Sequence, residues 1–530
     1  MLQAIVNARW FKRAEWGINV LGGLVLLLTF VFLGWESTWV SAQPARDPRW
    51  NFLHGSTGTE LMPLPVMQVL PDLFPDQFQP AGAAAGDWVE QFGFFRESGY
   101  PDGVPFGFTV SNHRPRSGAP SPTPFVGISC SLCHSAKIHR RPDDPGITVL
   151  GMGTSSLDFI GWVDAFKTAV LSDRLTVEAI QSKYREKYAR SLGVVDTLLI
   201  RTWLNDTRSA LRENMPKSDR PYAGAELRQA SLLPNGPSRT QPFRNLVRNV
   251  MDLPAATDRA FCKIPTLFRQ QDRTWGQFDG SVRDRLTRSV LAAIAIGATA
   301  ENLPMPDIAG GVNGAIAYTL TLQGPAYRDI FPEHYARLEP AAVERGKQLY
   351  ARHCDSCHGH PDGDAWVRGR RQDEIVPLEE IGTDPARVEF RFYDELPDAL
   401  VAMFPEDHPL RPKREELRPG PRGHTRGYLN TPLHAAFAHA PYLHNGSVMT
   451  LAELINLQPR RPVFYRGAHV YDPDTAGLDA PLRSDARHYF RFDTSQPGNG
   501  NQGHDYPWRF HGPGWDEAQL EDLLTYLKTI

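Results

Sequence analysis

The chain has 530 residues, which is long enough to bury a large core and predicts about two to four domains. Its 57 Lys and Arg side chains are balanced by 60 Asp and Glu side chains, giving a formal net charge of −3. Nucleic-acid-binding proteins carry a basic footprint, so this balance predicts no nucleic-acid partner.

The first feature along the chain is an uncharged run from Trp16 to Trp35, preceded by Arg9, Lys12 and Arg13. At about 1.5 Å per residue, a helix of this length spans about 30 Å, the thickness of a bilayer's hydrocarbon core. The tryptophans and the basic flank predict a single-pass anchor in the bacterial inner membrane, with the body of the protein in the periplasm. Residues 40–42 (Val-Ser-Ala) resemble a signal-peptidase site, so the alternative is a cleaved signal that leaves a soluble periplasmic or secreted protein.

Loop-heavy and helical stretches then alternate. Residues 43–125 are rich in Pro and Gly and read as mostly loop, whereas apolar side chains recur at helical spacing over 160–215. A second helix is predicted over 281–300, with Ser281 as its N-cap.

A new unit is predicted to begin near Glu339, with a helix over 339–354 that has proline in its first turn. Residues 360–425 read as polar loop, and 515–528 as an amphipathic closing helix. The predicted division is therefore 1–42 as anchor or signal segment, 43–335 as a first domain with a helical insertion, and 336–530 as a second domain.

Two copies of C-x-x-C-H use four of the five cysteines, and their members are Cys130, Cys133 and His134, then Cys354, Cys357 and His358. This motif attaches a c-type haem: each thiol bonds a vinyl group of the porphyrin, and the histidine becomes the proximal iron ligand. The sequence therefore predicts two covalently bound haems. Their attachment takes place outside the bacterial cytoplasm, which agrees with the export signal.

Other interpretations of the cysteines are weaker. A zinc ribbon has its two pairs about 15–20 residues apart, whereas these pairs lie in opposite halves of the chain. A thioredoxin-type dithiol belongs near a βαβ pattern, which neither site shows. Cys262 is left over and is expected to be a small buried apolar side chain. Calcium is a possible further cofactor, but no motif supports it.

The second motif also carries a family resemblance. Gly346, Leu349 and Tyr350 before it, with the closing Tyr526-Leu527-Lys528, resemble a class I cytochrome c domain, in which the first and last helices cross beside the haem. Two such sites and the string 440–447 (APYLHNGS) resemble the bacterial di-haem cytochrome c peroxidase superfamily.

Longer strings narrow this resemblance to the rubber-oxygenase-like di-haem cytochrome c branch of that superfamily; they lie at 100–109, 151–159, 461–473 and 498–506. The resemblance implies a mainly α fold with two class I cytochrome c-like domains and long loop insertions, to which we add the N-terminal transmembrane helix.

The sixth ligand of each iron decides between chemistry and simple electron transfer. For the second haem the candidates are Met403, Met449, His444 and His504. The resemblance implies His504, because the related branch places a histidine ligand shortly before the closing helix. His444 reads as a structural or haem-edge residue.

For the first haem the nearest candidates are His113, His139 and Met152, and each reads better as a loop residue. The resemblance implies an open or weakly occupied site. It also implies that Trp275 stacks between the haems and that Phe278 walls the oxygen site, which makes these two residues the catalytic candidates. Alternatively, both aromatic side chains anchor an ordinary loop.

The sequence thus predicts a periplasmic di-haem oxidoreductase of the peroxidase- or oxygenase-like type. Its first haem would react with peroxide or dioxygen, and its second would be a bis-histidine electron-transfer centre. The main alternative is a membrane-anchored electron carrier without substrate chemistry of its own; a haem-based sensor has no supporting segment. The expected partner is a redox protein or a quinol-linked donor.

Overall fold

The computed structural model describes residues 20, 22–24, 27, 47–79, 88–213, 236–251, 253, 259–418, 426–467, 469–481, 490–505 and 515–530. By backbone contacts the chain divides into two units, Met1–Asp47 and Pro48–Ile530. All features below belong to the second unit. The predicted domain boundary after residue 335 stays a prediction.

The described helices of seven residues or more are Pro48–His54, Leu64–Leu73, Phe159–Leu171, Val177–Tyr188, Val194–Glu213, Pro242–Met251, Arg285–Ala295, Pro306–Thr319, Pro340–His353, Leu396–Ala402 and Glu517–Leu527. One-turn helices lie at Pro75–Phe78, Trp88–Gln91, Tyr327–Ile330, Pro332–Tyr335, Asp355–His358, Leu378–Ile381 and Leu451–Leu454.

The described strands form small antiparallel sheets. The largest has three strands, in the order Met62–Pro63, Pro120–Ile128 and Phe108–His113. The two-stranded sheets pair Ser135–Ile138 with Ile147–Leu150, Arg239–Thr240 with Cys262–Lys263, His360–Asp362 with Ala365–Val367, Ile375–Pro377 with Gly427–Leu429, Val463–Arg466 with Phe490–Asp493, and Tyr471–Asp472 with Gly477–Leu478.

These sheets correct the prediction of a mainly α fold. The stretch 43–125 reads as loop because it is rich in Pro and Gly, yet it supplies most of the three-stranded sheet. Short strands become stable there because Phe108, Phe125 and Val126 are buried in a core with Trp162. Tertiary packing thus outweighs local propensity.

The predicted transmembrane helix is also corrected. Among the described residues, no helix combines the length and apolarity that crossing a bilayer requires. The longest described helix, Val194–Glu213, has 20 residues but carries charged side chains such as Asp196 and Arg201. This finding contradicts the single-pass inner-membrane localisation as well. Most of the run 16–35 on which both predictions depended lies outside the described residues.

The helices predicted between residues 160 and 300 are present, although one begins at a different residue. The stretch 160–215 is confirmed by three helices, and the first of them begins at the N-cap Asp158, whose side chain accepts a hydrogen bond from the Gly161 amide. The helix predicted from Ser281 begins later, and its N-cap is Asp284, which accepts from the Thr287 amide at 2.6 Å. The expected N-cap was therefore wrong: the Ser281 hydroxyl hydrogen-bonds the Asp279 carboxylate instead.

The helices Pro340–His353 and Glu517–Leu527 pack against each other beside the second motif. They meet at Gly346, where a Cβ atom would lie 2.0 Å from the Asp522 carbonyl oxygen. The Tyr350 and Tyr526 rings continue the contact with centroids 5.2 Å apart. A capping box at Asp516 and Gln519 begins the C-terminal helix. This close contact positions the C-terminal end of the helix Pro340–His353, and with it Cys354.

Candidate functional site

The first cysteine motif begins in a single 3-10 turn, Cys130–Leu132, which Cys133 caps and which follows the strand Pro120–Ile128 after Ser129. The Ser129 hydroxyl donates to the Gly107 carbonyl at 2.9 Å, and the Ser131 hydroxyl donates to the Leu53 carbonyl at 3.1 Å. The side chains between and beside the two cysteines therefore hold the turn, while the thiols remain available for attachment.

The His134 ring is oriented by one backbone group. Its Nδ1 lies 3.0 Å from the Pro265 carbonyl oxygen, which can only accept, so Nδ1 carries the proton and Nε2 keeps its lone pair. Burial lowers the pKa of His134 to about 4, so the imidazole is neutral, as a metal ligand requires.

A cavity of about 1050 Å³ opens in front of this motif. Cys130, Cys133 and His134 lie in its wall, and Phe278 is another lining residue. The volume is at the upper end of the range for ligand pockets, roughly 300–1,000 Å³.

The second motif repeats this arrangement on a helical support. Cys354 caps the helix Pro340–His353, and the Tyr350 hydroxyl donates to the Gly359 carbonyl at 2.6 Å. The His358 Nδ1 lies 2.7 Å from the Thr431 carbonyl oxygen, so its Nε2 is also left for a metal. Burial lowers the pKa of His358 too.

His504 faces His358 across this second site. The two ring centroids are 6.1 Å apart, with an interplanar angle of 47°. Two imidazoles that bind one metal ion at about 2.0–2.1 Å have centroids roughly 6 Å apart, so the spacing suits a shared ion. Burial lowers the pKa of His504 to about 3, so this ring is neutral as well.

The loop that carries His504 is held by side chains of residues 440–447, the string that carries the family resemblance. The Asn445 amide and the Ser447 hydroxyl both donate to the Gly500 carbonyl at 2.9 Å. From the next segment, the Arg460 guanidinium donates to the Asn501 carbonyl at 2.6 Å and to the Gly503 carbonyl at 2.8 Å. These contacts determine where the imidazole of His504 lies.

A continuous series of contacts joins the two proximal histidines. Pro265, which holds His134, is followed by Thr266, whose hydroxyl lies 3.3 Å from Nδ1 of His439. Nε2 of His439 donates to the His434 carbonyl at 2.7 Å. The His434 ring lies 3.9 Å from the Trp366 ring, and the Trp366 indole donates to the His358 carbonyl at 3.2 Å.

The remaining predicted residues are spread over the fold. Phe278 lines the cavity, whereas Trp275 is not among its described lining residues and lies under the Arg418 guanidinium, 3.9 Å from it. Catalytic roles for both stay predictions. His444 stacks on Tyr428 with centroids 4.3 Å apart, which agrees with a structural role.

The other ligand candidates are not among the described residues that line the cavity. Those for the first haem are His113, His139 and Met152. Met449 is 1% exposed, within the apolar core that also contains Tyr350.

The residues that sequence reasoning missed are mainly ones whose backbone carbonyl accepts a hydrogen bond from a proximal histidine, such as Pro265 and Thr431. A backbone carbonyl carries no residue signature, so no motif could have revealed them. The sequence does not distinguish Arg460, which holds the loop of His504, from the other arginines of the chain.

The cavity fits a haem. Several buried donors in its wall lack a hydrogen-bond partner among the described residues, including Trp162 Nε1, Gln241 Nε2, Arg273 Nε and Arg285 Nε. None of its described lining residues contributes an unpaired buried acceptor. Such a wall suits a ligand that brings acceptors, as the propionates of a haem do.

The thiols are not those of a redox dithiol. Burial raises the pKa of Cys130 to about 11 and that of Cys133 to about 12. Reactive cysteines have lowered pKa values, so the dithiol interpretation loses support.

The chain is similar to two known bacterial proteins. The chain is 22% identical over 590 aligned residues to the uncharacterized protein y4iJ of Sinorhizobium fredii (strain NBRC 101917 / NGR234), with 93% of each chain covered. It is 28% identical over 307 residues to the uncharacterized protein y4iM of the same organism, which covers 50% of this chain and 64% of that protein.

Residues 427–466 match the family described as RoxA-like, cytochrome c-like. This segment contains Thr431, Asn445, Ser447 and Arg460, the residues that hold His358 and the loop of His504. The chain therefore contains a RoxA-like, cytochrome c-like domain, and such a domain implies covalently bound haem.

Proposed function

We propose that the protein is a periplasmic di-haem c-type cytochrome that acts as an oxidoreductase, with one haem that binds external ligands and one that only transfers electrons. A difference between the two sites carries the proposal. His358 faces a second imidazole, that of His504, at a centroid distance of 6.1 Å. His134 faces a cavity of about 1050 Å³ instead.

The two proximal histidines have the same task at both sites. Each ring donates a hydrogen bond from Nδ1 to a backbone carbonyl, that of Pro265 or Thr431, and would offer Nε2 to the iron. When bound, haem supplies an iron that exchanges electrons and, where a coordination position is open, takes up peroxide or dioxygen. The protein residues determine at which site the position opposite the proximal histidine is occupied.

At the second site the loop contacts of Asn445, Ser447 and Arg460 keep His504 opposite His358. An incoming ligand would have to break those contacts. At the first site, both ring nitrogens of the cavity-lining His439 are engaged, by Thr266 and by the His434 carbonyl, so His439 does not close the position opposite His134.

The proposed compartment follows from the attachment motif, because haem is joined to C-x-x-C-H outside the bacterial cytoplasm. A redox partner protein is the proposed source of electrons, as the sequence predicts.

Cyanide titration of the oxidised protein, followed by absorption and EPR, tests the proposal. We expect about one haem per chain to change its spectrum and the other to stay low-spin. Two low-spin irons that both refuse cyanide would replace this function with that of a pure electron carrier. Two irons that both bind cyanide would show that the second site is not closed.

A further inference from the structure

The cavity at the first motif is rich in positive charge although the chain is slightly acidic. Asp164 is the one acidic side chain among the described residues that line it. Several arginines line the same wall, among them Arg273, Arg285, Arg288 and Arg418. A guanidinium cannot shed its proton in a protein, so each of these charges needs a partner.

Some cavity arginines find partners within the protein. Arg387 forms an ion pair with Asp279 at 3.0 Å. The Nη2 of Arg288 donates to the Thr274 and Arg283 carbonyls, each at 2.8 Å. These contacts show how the fold satisfies an arginine that needs no ligand.

Three arginines are not satisfied in this way. The Arg273 guanidinium makes no hydrogen bond or ion pair to any described residue, and its Nε is buried without a partner. The Nε of Arg285 is also unpartnered, and its Nη2 makes one long contact of 3.4 Å to the Gln270 carbonyl. Arg418 rests on the Trp275 ring at 3.9 Å and pairs with no carboxylate of the described residues.

The acidic side chains whose charges act on Arg273 are already engaged. Asp272 pairs with Arg269 at 2.6 Å and with His434 at 3.0 Å. Asp373 pairs with Arg368 at 2.7 Å. Burial that these two charges only partly offset lowers the pKa of Arg273 to about 10. Arg273 therefore has no carboxylate of its own to balance its charge, and the wall around it suits an anion.

We propose that Arg273, Arg285 and Arg418 form a carboxylate-binding cluster that holds the propionate groups of the haem at the first site. An ionised carboxylate only accepts hydrogen bonds, and it matches the fork of a guanidinium. The proposal rests on the proposed function, because it needs a haem at Cys130 and Cys133. A free carboxylate compound has the same chemistry, so the experiment must separate the two sources.

The test uses the full-length holoprotein with Arg273→Gln, Arg285→Gln and Arg418→Gln. Arg283→Gln is the matched control, because it removes the same charge from the same segment. The Arg283 side chain is 56% exposed, and its Nε lies 3.9 Å from Glu416 Oε2. It is not among the described residues that line the cavity. Covalent haem is counted by pyridine haemochrome, propionate hydrogen bonding by resonance Raman, and both reduction potentials by spectroelectrochemistry.

We expect the haem count to be unchanged, because the thioether bonds do not involve these arginines. The propionate bending band should shift, and one of the two potentials should become more negative, because loss of a nearby positive charge favours the oxidised iron. Arg283→Gln should match the wild type. If Arg273→Gln does not fold, Arg273→Lys replaces it, and a smaller shift of the same band is expected.

Unchanged propionate bands and potentials in all three variants would overturn the cluster, while a wild-type count of two haems would leave the proposed function standing. A count of one haem that the Cys354→Ala, Cys357→Ala double variant retains would contradict the di-haem function alone, because the Raman comparison still applies to the haem at Cys130. A single haem that this double variant loses would overturn both proposals. Acetate titration addresses the other source. A saturable response of the wild-type spectrum to acetate that Arg273→Gln abolishes, with unchanged propionate bands, would assign the arginines to a free carboxylate and overturn the proposal.

Discussion

At the scale of single residues, the two candidate sites share one device. Each proximal histidine is held by one carbonyl at its Nδ1, 3.0 Å away for His134 and 2.7 Å for His358. A hydrogen bond of this kind fixes the tautomer and the ring orientation of a metal-binding histidine. The sites differ in what lies opposite the proximal histidine ring. Single substitutions are most informative at the residues that make this difference.

Changing Cys130 and Cys133 together to alanine should remove about one covalent haem per chain, and changing Cys354 and Cys357 should remove the other. The reason is that each pair supplies both thioether bonds of one haem. Pyridine haemochrome measures the count. Cys262→Ala is the control, since this buried cysteine belongs to neither motif, and it should keep both haems. A wild-type protein with one haem would contradict the prediction.

His504→Ala should leave both haems attached but convert about one low-spin EPR signal per chain to high-spin. The substitution removes the imidazole that faces His358 and leaves the cysteines intact. His444→Gln serves as the control, because His444 stacks on Tyr428 and should not alter the spin state. An unchanged spectrum for His504→Ala would exclude His504 as a ligand.

At the scale of elements, the second site depends on two helices that are far apart in sequence. The helices Pro340–His353 and Glu517–Leu527 touch backbone to backbone, at Gly346 and Asp522. Arg345 reinforces the crossing with an ion pair of 2.7 Å to Asp522. The amphipathic pattern of each helix predicts a buried face, but only the folded structure shows which residues meet.

Gly346→Ala should lower the free energy of unfolding by about 1–3 kcal/mol, because the added methyl group would lie 2.0 Å from the Asp522 carbonyl oxygen and force the helices apart. Urea unfolding of the holoprotein measures this change. Gly310→Ala is the matched control within the helix Pro306–Thr319, where nothing lies within 4 Å of the new Cβ atom. That variant should be unchanged or up to about 1 kcal/mol more stable. Equal effects of the two substitutions would refute the close crossing.

At the scale of the whole molecule, the two candidate haem sites are connected through His439, His434 and Trp366. His439 takes part as a neutral ring: burial lowers its pKa to about 3, and its two nitrogens play opposite hydrogen-bonding roles. Such a chain of packed rings and hydrogen bonds offers a route for electrons between the proximal histidines.

Trp366→Leu should slow electron equilibration between the two haems by about tenfold or more, since it removes the ring that contacts His434 and the donor to the His358 carbonyl. A tenfold change corresponds to about 1.4 kcal/mol of activation free energy. Flash photolysis of the half-reduced carbon monoxide complex measures the rate. Trp275→Leu is the comparison, because the sequence resemblance places that tryptophan between the haems. If only the Trp275 variant is slow, the route through Trp366 is wrong.

Chemistry that is local in the chain can be predicted from the sequence alone. C-x-x-C-H needs no tertiary context to indicate haem attachment, because thiols, spacer and histidine are adjacent. Helices such as Pro340–His353 could be predicted from apolar periodicity and a proline in the first turn. The short strands could not, because two- to four-residue strands have no periodicity long enough to read and depend on burial.

The difference between the two sites, by contrast, depends on how the chain folds. It placed His504 opposite His358, left His134 facing a cavity, and gathered Arg273, Arg285 and Arg418 without carboxylate partners. The physical reason is the same in each case. Contacts between residues distant in sequence determine which carbonyl orients a ring and which charges remain unpaired. The identity of a residue does not indicate which distant residue it will contact.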